Sequence, residues 1–267
     1  MRRLAPADVA RSFLAVDVGN SAVKAGLWEG SAWVRTARVK SELAPEVPWE
    51  QFLADVLAGE RVGAAGVASV WPAVGDAIAR AVTNAAAAPT AVHGNMAIPP
   101  TLAPFRTEYR TPETLGADRL AGAAAAFVLH GHPAGRAVIA LDAGTAITVD
   151  AVTADGAHVG GAILPGPDAI VQALAGRTAQ LPEVPFERPE RAAGVTSVLS
   201  IQSGVTSMII DGLGGLIART SAEIAPAGAP PLIVATGGWA PWLQAHIAVD
   251  VLAPELVLDG VRLLAKG

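Results

Sequence analysis

The same short pattern occurs twice in this chain, separated by about half its length. The two segments are AVDVGNSAV at residues 15–23 and ALDAGTAIT at residues 140–148. Each runs from apolar residues into Asp-x-Gly, a small polar residue and more apolar residues. A carboxylate inside an apolar strand is unfavourable unless its charge is compensated. We therefore predict two strand–turn–strand hairpins with a function at each turn, and a duplicated α/β domain on either side of a cleft.

The rest of the chain alternates between apolar runs and segments of helical periodicity, which is typical of layered α/β proteins. The 267 residues are enough for two domains, and we predict that they divide into 1–115 and 116–267. Further strands are predicted at 33–39, 62–70 and 231–235. Helices are predicted at 48–58, 74–86, 115–129, 198–220 and 254–265, with a break at the glycine and proline of 130–133.

Composition excludes several classes of function. The net charge is −5 and no basic stripe is present, so nucleic acid is not an expected partner. The chain has no cysteine, which excludes disulfides, thiolate metal ligands and a cysteine nucleophile. The longest uncharged stretches, Ala81–Phe105 and Ala192–Ile210, contain Pro, Asn, Gln, Ser and Gly, which is typical of soluble helices and loops. The basic start Met1–Arg3 is not followed by a continuous apolar segment. We expect a cytoplasmic protein that does not enter a membrane.

A third glycine-containing element follows the second hairpin. The segment PLIVATGGWA at residues 231–240 is an apolar strand that runs into Thr-Gly-Gly. Glycines at such a position allow the backbone to approach a ligand closely, as nucleotide-binding loops require. A simple turn at the end of a strand is the alternative interpretation.

These three elements, in this order, resemble the ASKHA superfamily, the actin-like or ribonuclease H-like group that includes actin, sugar kinases and Hsp70. The segment EYRTPETLGADRLAG at residues 108–122 resembles the signature of type III pantothenate kinases. The segments GGAILPG at 160–166 and SIQSG at 200–204 are also similar to that family. The resemblance runs from about residue 13 to residue 240. It implies two duplicated ASKHA domains that face a central cleft.

The resemblance assigns the first hairpin to the phosphates of ATP. It implies that Asp17 holds Mg²⁺, directly or through water, which would compensate the charge of this aspartate. The backbone at Gly19 and the side chains of Asn20 and Ser21 would contact phosphate oxygens, and Lys24 would supply a positive charge. Where the family commonly has threonine this chain has Ser21, which keeps the hydroxyl.

The resemblance assigns the second hairpin and the Thr-Gly-Gly segment to a monovalent cation and the nucleotide. Asp142 corresponds to the ligand of a monovalent cation, K⁺ or NH₄⁺, and Thr145 to a contact with ATP. Gly237 and Gly238 correspond to the loop that holds adenosine.

The segment 108–122 carries the acceptor chemistry that the resemblance implies. Asp118 would be the general base that takes the proton from the primary hydroxyl of pantothenate. Tyr109 and Arg119 would bind this substrate, the arginine by pairing with its carboxylate, together with Gly116 and Ala117. From spacing alone, an Asp–Arg pair near a helix N-terminus could also act only as a cap.

The segment 194–204 resembles the part of the family that completes the pocket of a neighbouring protomer. Thr196 matches the threonine that reaches the partner's substrate, although the family often has a polar residue where this chain has Val195. The apolar stretch Val198–Ile210 is predicted to lie in a two-fold interface. We therefore expect a homodimer with shared active sites.

The function predicted from the sequence is the ATP-dependent phosphorylation of pantothenate to 4′-phosphopantothenate, the entry step of coenzyme A synthesis. One alternative is another small-molecule kinase of the same superfamily with a different acceptor. A second is a non-catalytic transcription accessory factor on the same fold. The presence of both Asp17 and Asp118 argues against a degenerate binding protein.

Overall fold

The structure is a computed structural model, and it describes residues 12–86, 90–93, 98–177 and 181–265. The start Met1–Arg3, considered above for targeting, lies outside the described residues. The strands are β1 (Ser12–Val18), β2 (Ala22–Glu29), β3 (Ala32–Lys40), β4 (Ala64–Ser69), β5 (Thr90–His93), β6 (Arg106–Thr107), β7 (Val138–Ala143), β8 (Ala146–Val152), β9 (Ala157–Pro165), β10 (Leu232–Thr236) and β11 (Val251–Leu252). The helices are α1 (Trp49–Leu57), α2 (Pro72–Ala86), α3 (Ala117–Ala126), α4 (His132–Ala134), α5 (Pro167–Arg177), α6 (Ser197–Ile224), α7 (Ala240–Gln244) and α8 (Leu256–Leu264).

Two sheets share one strand order, which confirms the predicted duplication. The first sheet has the order β3-β2-β1-β4-β5. In the second, β9-β8-β7-β10-β11 repeats that order, and β6 is added at the edge beside β9. In each sheet the first strand pairs antiparallel with the second strand and parallel with the fourth. The fold is the α/β class that the sequence predicted.

Each sheet carries its own apolar core. One core includes Leu14, Leu27 and Leu53, and it lies between the first sheet and the helices α1 and α2. The other includes Leu141, Leu213 and Leu243, and it lies between the second sheet and the helices α6 and α7. Alternating β-strand residues supply one side of each core, as expected for a sheet that is covered by helices.

The two compact units differ from the predicted halves 1–115 and 116–267. Unit 1 contains the described residues before His130, the segment Gly156–His158 and the end of the chain from Glu255. Unit 2 contains His130–Asp155 and Val159–Pro254. The cause is packing between two helices that are distant in sequence. A Cβ at Gly260 of α8 would collide with the backbone of Ala121 in α3, so the two helix axes approach closely and α3 stays in unit 1.

The helix predicted at 115–129 begins and ends differently in the structure. Leu115 is extended and Gly116 is the N-cap, so α3 begins at Ala117. The predicted break at 130–133 is wrong. The helical path continues through a π-helical turn at Phe127–Gly131 and through α4, and it ends at Gly135 with a positive φ of 62°. Pro133 lies in the first turn of α4, directly after the π-helical turn.

Helix α6 is the longest element, and among the described residues it alone is long and apolar enough to cross a membrane. Core helices of soluble proteins pass the same test of length and composition. In this chain α6 packs one face, which includes Ile201, Val205 and Leu213, into the core of unit 2. The first half of α6 exposes Val198 and Met208.

Candidate active site

The first turn, between β1 and β2, is fixed by a backbone hydrogen bond and by a serine contact. The N–H of Gly19 donates to the carbonyl of Ala22 at 3.1 Å, which closes the turn between β1 and β2. Ser41 supports it from outside, because its Oγ donates to the carbonyl of Gly19 at 2.7 Å. Asn20 and Ser21 are exposed at the tip. Their side chains are therefore accessible to a ligand.

Asp17 lies one residue before the end of β1 and is only 7% exposed. Its partner across the antiparallel pair is Lys24 of β2. Residues directly opposite each other on neighbouring strands have adjacent side chains. The hairpin register thus brings a carboxylate and an ammonium group, both predicted for the phosphate site, to the same point of the sheet.

Val70 connects this hairpin to the start of α3. The N–H of Val70 donates to the carbonyl of Val18 at 3.0 Å, and Val18 is the residue that follows Asp17. The Cγ1 atom of Val70 would lie 3.7 Å from a Cβ at Gly116. Since Gly116 is the N-cap of α3, the carboxyl ends of β1 and β4 and the N-terminus of α3 come together within unit 1.

Asp118 occupies the first turn of α3, where the helix dipole favours a negative charge. Its Oδ1 accepts the N–H of Arg119 at 2.8 Å. A Cβ at Gly116 would lie closer than 3.0 Å to the same oxygen, so glycine leaves the space that the carboxylate occupies. Asp118 is half-buried and Ala117 is buried.

Tyr109 and Arg119, both predicted to bind pantothenate, are in contact. The guanidinium carbon of Arg119 lies 5.7 Å from the centroid of the Tyr109 ring, within the range of cation–π interactions. The other ring beside Tyr109 is His158, with a centroid distance of 6.3 Å and an angle of 4° between the planes. Sequence reasoning missed His158, because no local pattern indicates that β6 pairs with β9.

The second hairpin has a tighter turn than the first, with two residues between its strands instead of three. The N–H of Gly144 donates to the carbonyl of Ala146 at 2.9 Å, and Asp142 pairs with Thr148 across the hairpin. The N–H of Gly166 donates to the carbonyl of Thr145 at 2.8 Å, so the segment GGAILPG docks on this turn. Asp142 is half-buried and Thr145 is exposed.

The Thr-Gly-Gly loop lies directly on the second hairpin, because β10 pairs in parallel with β7 and places Thr236 beside Asp142. Gly237 has a φ of +93°, and its missing Cβ would lie closer than 3.0 Å to both Oδ1 of Asp142 and the carbonyl oxygen of Ala143. Two oxygen atoms therefore converge on this glycine. At Gly238 a Cβ would meet no atom within 4 Å. The backbone at Gly238 is thus open to a ligand.

Trp239 fixes the end of this loop and was not among the predicted site residues. Its indole Nε1 donates to Oδ2 of Asp168 in α5 at 3.3 Å, and its backbone N–H donates to the carbonyl of Ala143 at 2.9 Å. Phe186 packs edge-on against its ring with a centroid distance of 5.0 Å. These contacts are long-range, so local sequence patterns could not reveal them.

Thr196 is the N-cap of α6. Its Oγ1 accepts the N–H of Leu199 at 3.2 Å, which leaves the hydroxyl proton available for a further acceptor. The neighbouring Val195 is 77% exposed. Thr196 borders an apolar cavity of about 790 Å³ whose lining includes Leu174 and Met208.

The predicted site residues therefore form two groups. Those predicted for phosphates, the general base and pantothenate lie in unit 1, and those predicted for the monovalent cation, the nucleotide and the partner's substrate lie in unit 2. Within the part of the chain that the structure describes, no three His, Asp or Glu side chains are grouped as a metal cluster. A metal ion at Asp17 would take its remaining ligands from phosphate oxygens and water, as Mg²⁺ commonly does.

Solved structures of other proteins share this fold. A Campylobacter jejuni protein described as a conserved Baf family transcriptional activator has a TM-score of 0.57 and is 19% identical, with 95% of this chain and 97% of that chain covered. A ROK family glucokinase from Streptomyces griseus, in complex with glucose and AMPPNP, has a TM-score of 0.51 and is 15% identical over 96% of this chain and 100% of that chain. The duplicated sheets with their paired hairpins define an ASKHA-type fold.

Sequence comparison then defines the family. The model of the type III pantothenate kinase family matches residues 13–219. A curated relative, type III pantothenate kinase 1 from Symbiobacterium thermophilum, is 34% identical over 261 residues, which cover 94% of this chain and 95% of the relative. The chain belongs to the type III pantothenate kinase family, and the resemblance predicted from its motifs is confirmed.

Proposed function

We propose that this chain transfers the γ-phosphoryl group of ATP to the primary hydroxyl of pantothenate, giving 4′-phosphopantothenate for coenzyme A synthesis. Membership of the family supports this activity. The observation that carries the proposal is local. Val70 joins the Asp17 hairpin to the N-terminus of α3, so that the proposed phosphate and acceptor groups meet in one unit.

Asp118 is the proposed general base. Phosphoryl transfer through a loose transition state depends mainly on positioning and charge stabilisation, and a carboxylate is basic enough to take the hydroxyl proton late in the reaction. The N–H of Arg119 orients Oδ1 of Asp118, and Gly116 leaves room for it. The half-buried carboxylate remains accessible to an acceptor hydroxyl.

Tyr109 and Arg119 are the proposed clamp for pantothenate, with Gly116 and Ala117 at the start of α3. Arginine suits a carboxylate because its planar group donates two parallel hydrogen bonds. The Tyr109 ring beside the guanidinium limits the orientations that Arg119 can adopt.

The proposed phosphate site uses the first hairpin. The backbone at Gly19 and the side chains of Asn20 and Ser21 contact phosphate oxygens, and Lys24 adds a positive charge. Asp17 is the proposed carboxylate ligand of Mg²⁺. The bound Mg²⁺ would neutralise the negative charge of the phosphates. The fit is supported by the buried carboxylate of Asp17, which lies beside an exposed polar turn.

The nucleotide and a monovalent cation are proposed to bind unit 2. Asp142 is the proposed ligand of K⁺ or NH₄⁺, supported by the two oxygen atoms that converge on Gly237. Thr145 is exposed at the turn and is proposed to contact ATP. Gly238, which has open space in front of its Cα, is proposed to lie with Gly237 against adenosine.

A homodimer with shared pockets is proposed as the working form in the cytoplasm. Two large exposed apolar side chains, Val195 and Met208, line the same cavity as Thr196, and the exposed Val198 lies close to Thr196 in sequence. An exposed apolar patch of this kind favours a protein–protein contact. Thr196 lies within this patch, and its hydroxyl is proposed to donate a hydrogen bond to the substrate in the partner's pocket.

The test of the proposed function is an assay of ADP release coupled to a chromogenic reaction. Purified protein is supplied with Mg-ATP, K⁺ and either pantothenate or a panel of sugars and polyols. We expect turnover with pantothenate, with the product identified by its mass. Turnover with a sugar but not with pantothenate would instead indicate a kinase with another acceptor. Absence of turnover with every acceptor would contradict a catalytic role.

A further inference from the structure

The backbone of Tyr109 is tied to a buried histidine through one hydroxyl group. The N–H of Tyr109 donates to Oγ1 of Thr107 at 3.2 Å. The same Oγ1 lies 3.1 Å from Nδ1 of His158. A threonine hydroxyl carries one proton and two lone pairs, so it can serve the amide and the imidazole together. These three residues all belong to unit 1.

His158 also contacts the tyrosine through its ring. The His158 side chain is fully buried, and its ring lies parallel to that of Tyr109 with a centroid distance of 6.3 Å. Pairing of β6 with β9 fixes both elements, since Thr107 and His158 are register partners. Because the buried His158 ring is closely packed, it holds the neighbouring Tyr109 ring in one orientation more firmly than an exposed side chain would.

A fully buried histidine beside a half-buried threonine needs a reason, because an apolar side chain would fill the position of His158 without the cost of removing a polar group from water. The contacts suggest that reason. Thr107 and His158 hold both the backbone and the ring of Tyr109, whose ring also contacts Arg119.

We propose that Thr107 and His158 are positioning residues, which fix the Tyr109 ring and thereby set the affinity for pantothenate without taking part in phosphoryl transfer. The identity of the substrate in this inference rests on the proposed function. The fixed orientation of the Tyr109 ring does not depend on it. It predicts an effect on substrate binding that is separate from the rate of the chemical step.

The kinetic test uses Thr107→Val, which keeps the shape and removes the hydroxyl, and His158→Phe, which keeps a flat ring and removes Nδ1. We expect the KM for pantothenate to rise about fivefold in each variant, the factor that one net hydrogen bond is worth. The value of kcat and the KM for ATP should stay within about twofold, because a rise in KM alone is the signature of lost binding that the ground state and the transition state share equally. The double variant should be about as impaired as either single variant, because both remove one network.

The matched control is Thr83→Val in α2. Thr83 is exposed, and its hydroxyl donates to the carbonyl of Ala79 in the same helix at 2.9 Å. This change removes a threonine hydroxyl from the same unit but away from Tyr109, and we expect all kinetic constants to remain unchanged. If Thr107→Val alters kcat and both KM values together, the pair has a general structural role and the inference is overturned.

A spectroscopic measurement separates positioning from substrate identity. Tyr109 is the only tyrosine of the chain, so in protein labelled with ring-¹³C tyrosine every labelled ring signal comes from Tyr109. Without substrate, we expect the ring-proton shift to differ from that of free tyrosine and to move towards it in Thr107→Val and in His158→Ala. An unchanged signal in both variants would overturn the inference. The measurement remains decisive even if the protein fails to phosphorylate pantothenate, since it needs no acceptor.

Discussion

Replacement of Gly116 by alanine should slow turnover without unfolding the protein. The new Cβ would lie closer than 3.0 Å to Oδ1 of Asp118, a separation that real Cβ atoms essentially never show. The side chain of Asp118 is the movable partner, so the carboxylate should retreat and lose the orientation given by the N–H of Arg119. A misplacement of about 1 Å can cost on the order of 10²-fold in rate, and we expect kcat to fall about ten- to hundredfold.

Stability should change little, because two opposing effects are of similar size. Alanine is a poorer N-cap than glycine by a few tenths of a kcal/mol to about 1 kcal/mol. It also restricts the unfolded chain, which stabilises the protein by about 0.4–1 kcal/mol where the backbone conformation suits it. Gly116 has a φ of −55° and a ψ of 134°, which alanine adopts without strain. Thermal unfolding followed by circular dichroism measures the net change in stability, and the coupled ADP assay measures kcat.

Gly122→Ala in the same helix is the matched control. A Cβ at Gly122 would meet no atom within 4 Å, so this change should leave kcat unaltered. Asp118→Asn is the upper limit of the effect, since loss of a general base costs about 10²–10⁴-fold in rate, while ATP and pantothenate should still bind. A Gly116→Ala variant with the wild-type kcat, or an active Asp118→Asn variant, would refute the assignment of the base.

Three further predictions concern the groups in unit 2. Gly237→Ala should destabilise the protein, because residue 237 has a positive φ and the new Cβ would collide with Asp142. Gly238→Ala should leave thermal unfolding unchanged and raise the KM for ATP. An unchanged KM for ATP would argue against a nucleotide contact at Gly238. Activity should be lost in sodium-only buffer and return with K⁺ or NH₄⁺, and Asp142→Asn should abolish this response; full activity in sodium would contradict the cation site. An inactive Thr196→Arg variant mixed with inactive Asp118→Asn should regain activity, since a heterodimer carries one intact shared pocket, and a fully active monomer in light scattering would refute the dimer.

The sequence predicted those features that depend on local pattern. The Asp-x-Gly segments could be recognised as hairpins because each strand, turn and strand is continuous in the chain. The segment around Gly116 and Asp118 could be placed at a helix start for the same reason. The limits of α3 were less accurate, since the extended Leu115 and the π-helical turn at Phe127–Gly131 depend on packing as well as on helix propensity.

Features that depend on contacts between distant segments were missed. The domain boundary was displaced because α8 packs on α3 through Gly260, more than a hundred residues away in sequence. His158 and Asp168 act on Tyr109 and Trp239 through pairings that no local pattern reveals. From the sequence alone, a histidine in a strand cannot be distinguished from an ordinary core residue until its partner strand is known.

The distribution of the predicted site residues over the two units also bears on how an acceptor is chosen within this fold. Both units carry an Asp-x-Gly hairpin, and the resemblance assigns both hairpins to phosphates, ions and nucleotide. Only unit 1 contributes residues 107–119 and His158, and their contacts with one another are made without the hairpins. Selection of pantothenate over a sugar should therefore depend on this segment, and substitutions there should change the acceptor KM more than the KM for ATP. The hairpins, by contrast, should affect every acceptor equally.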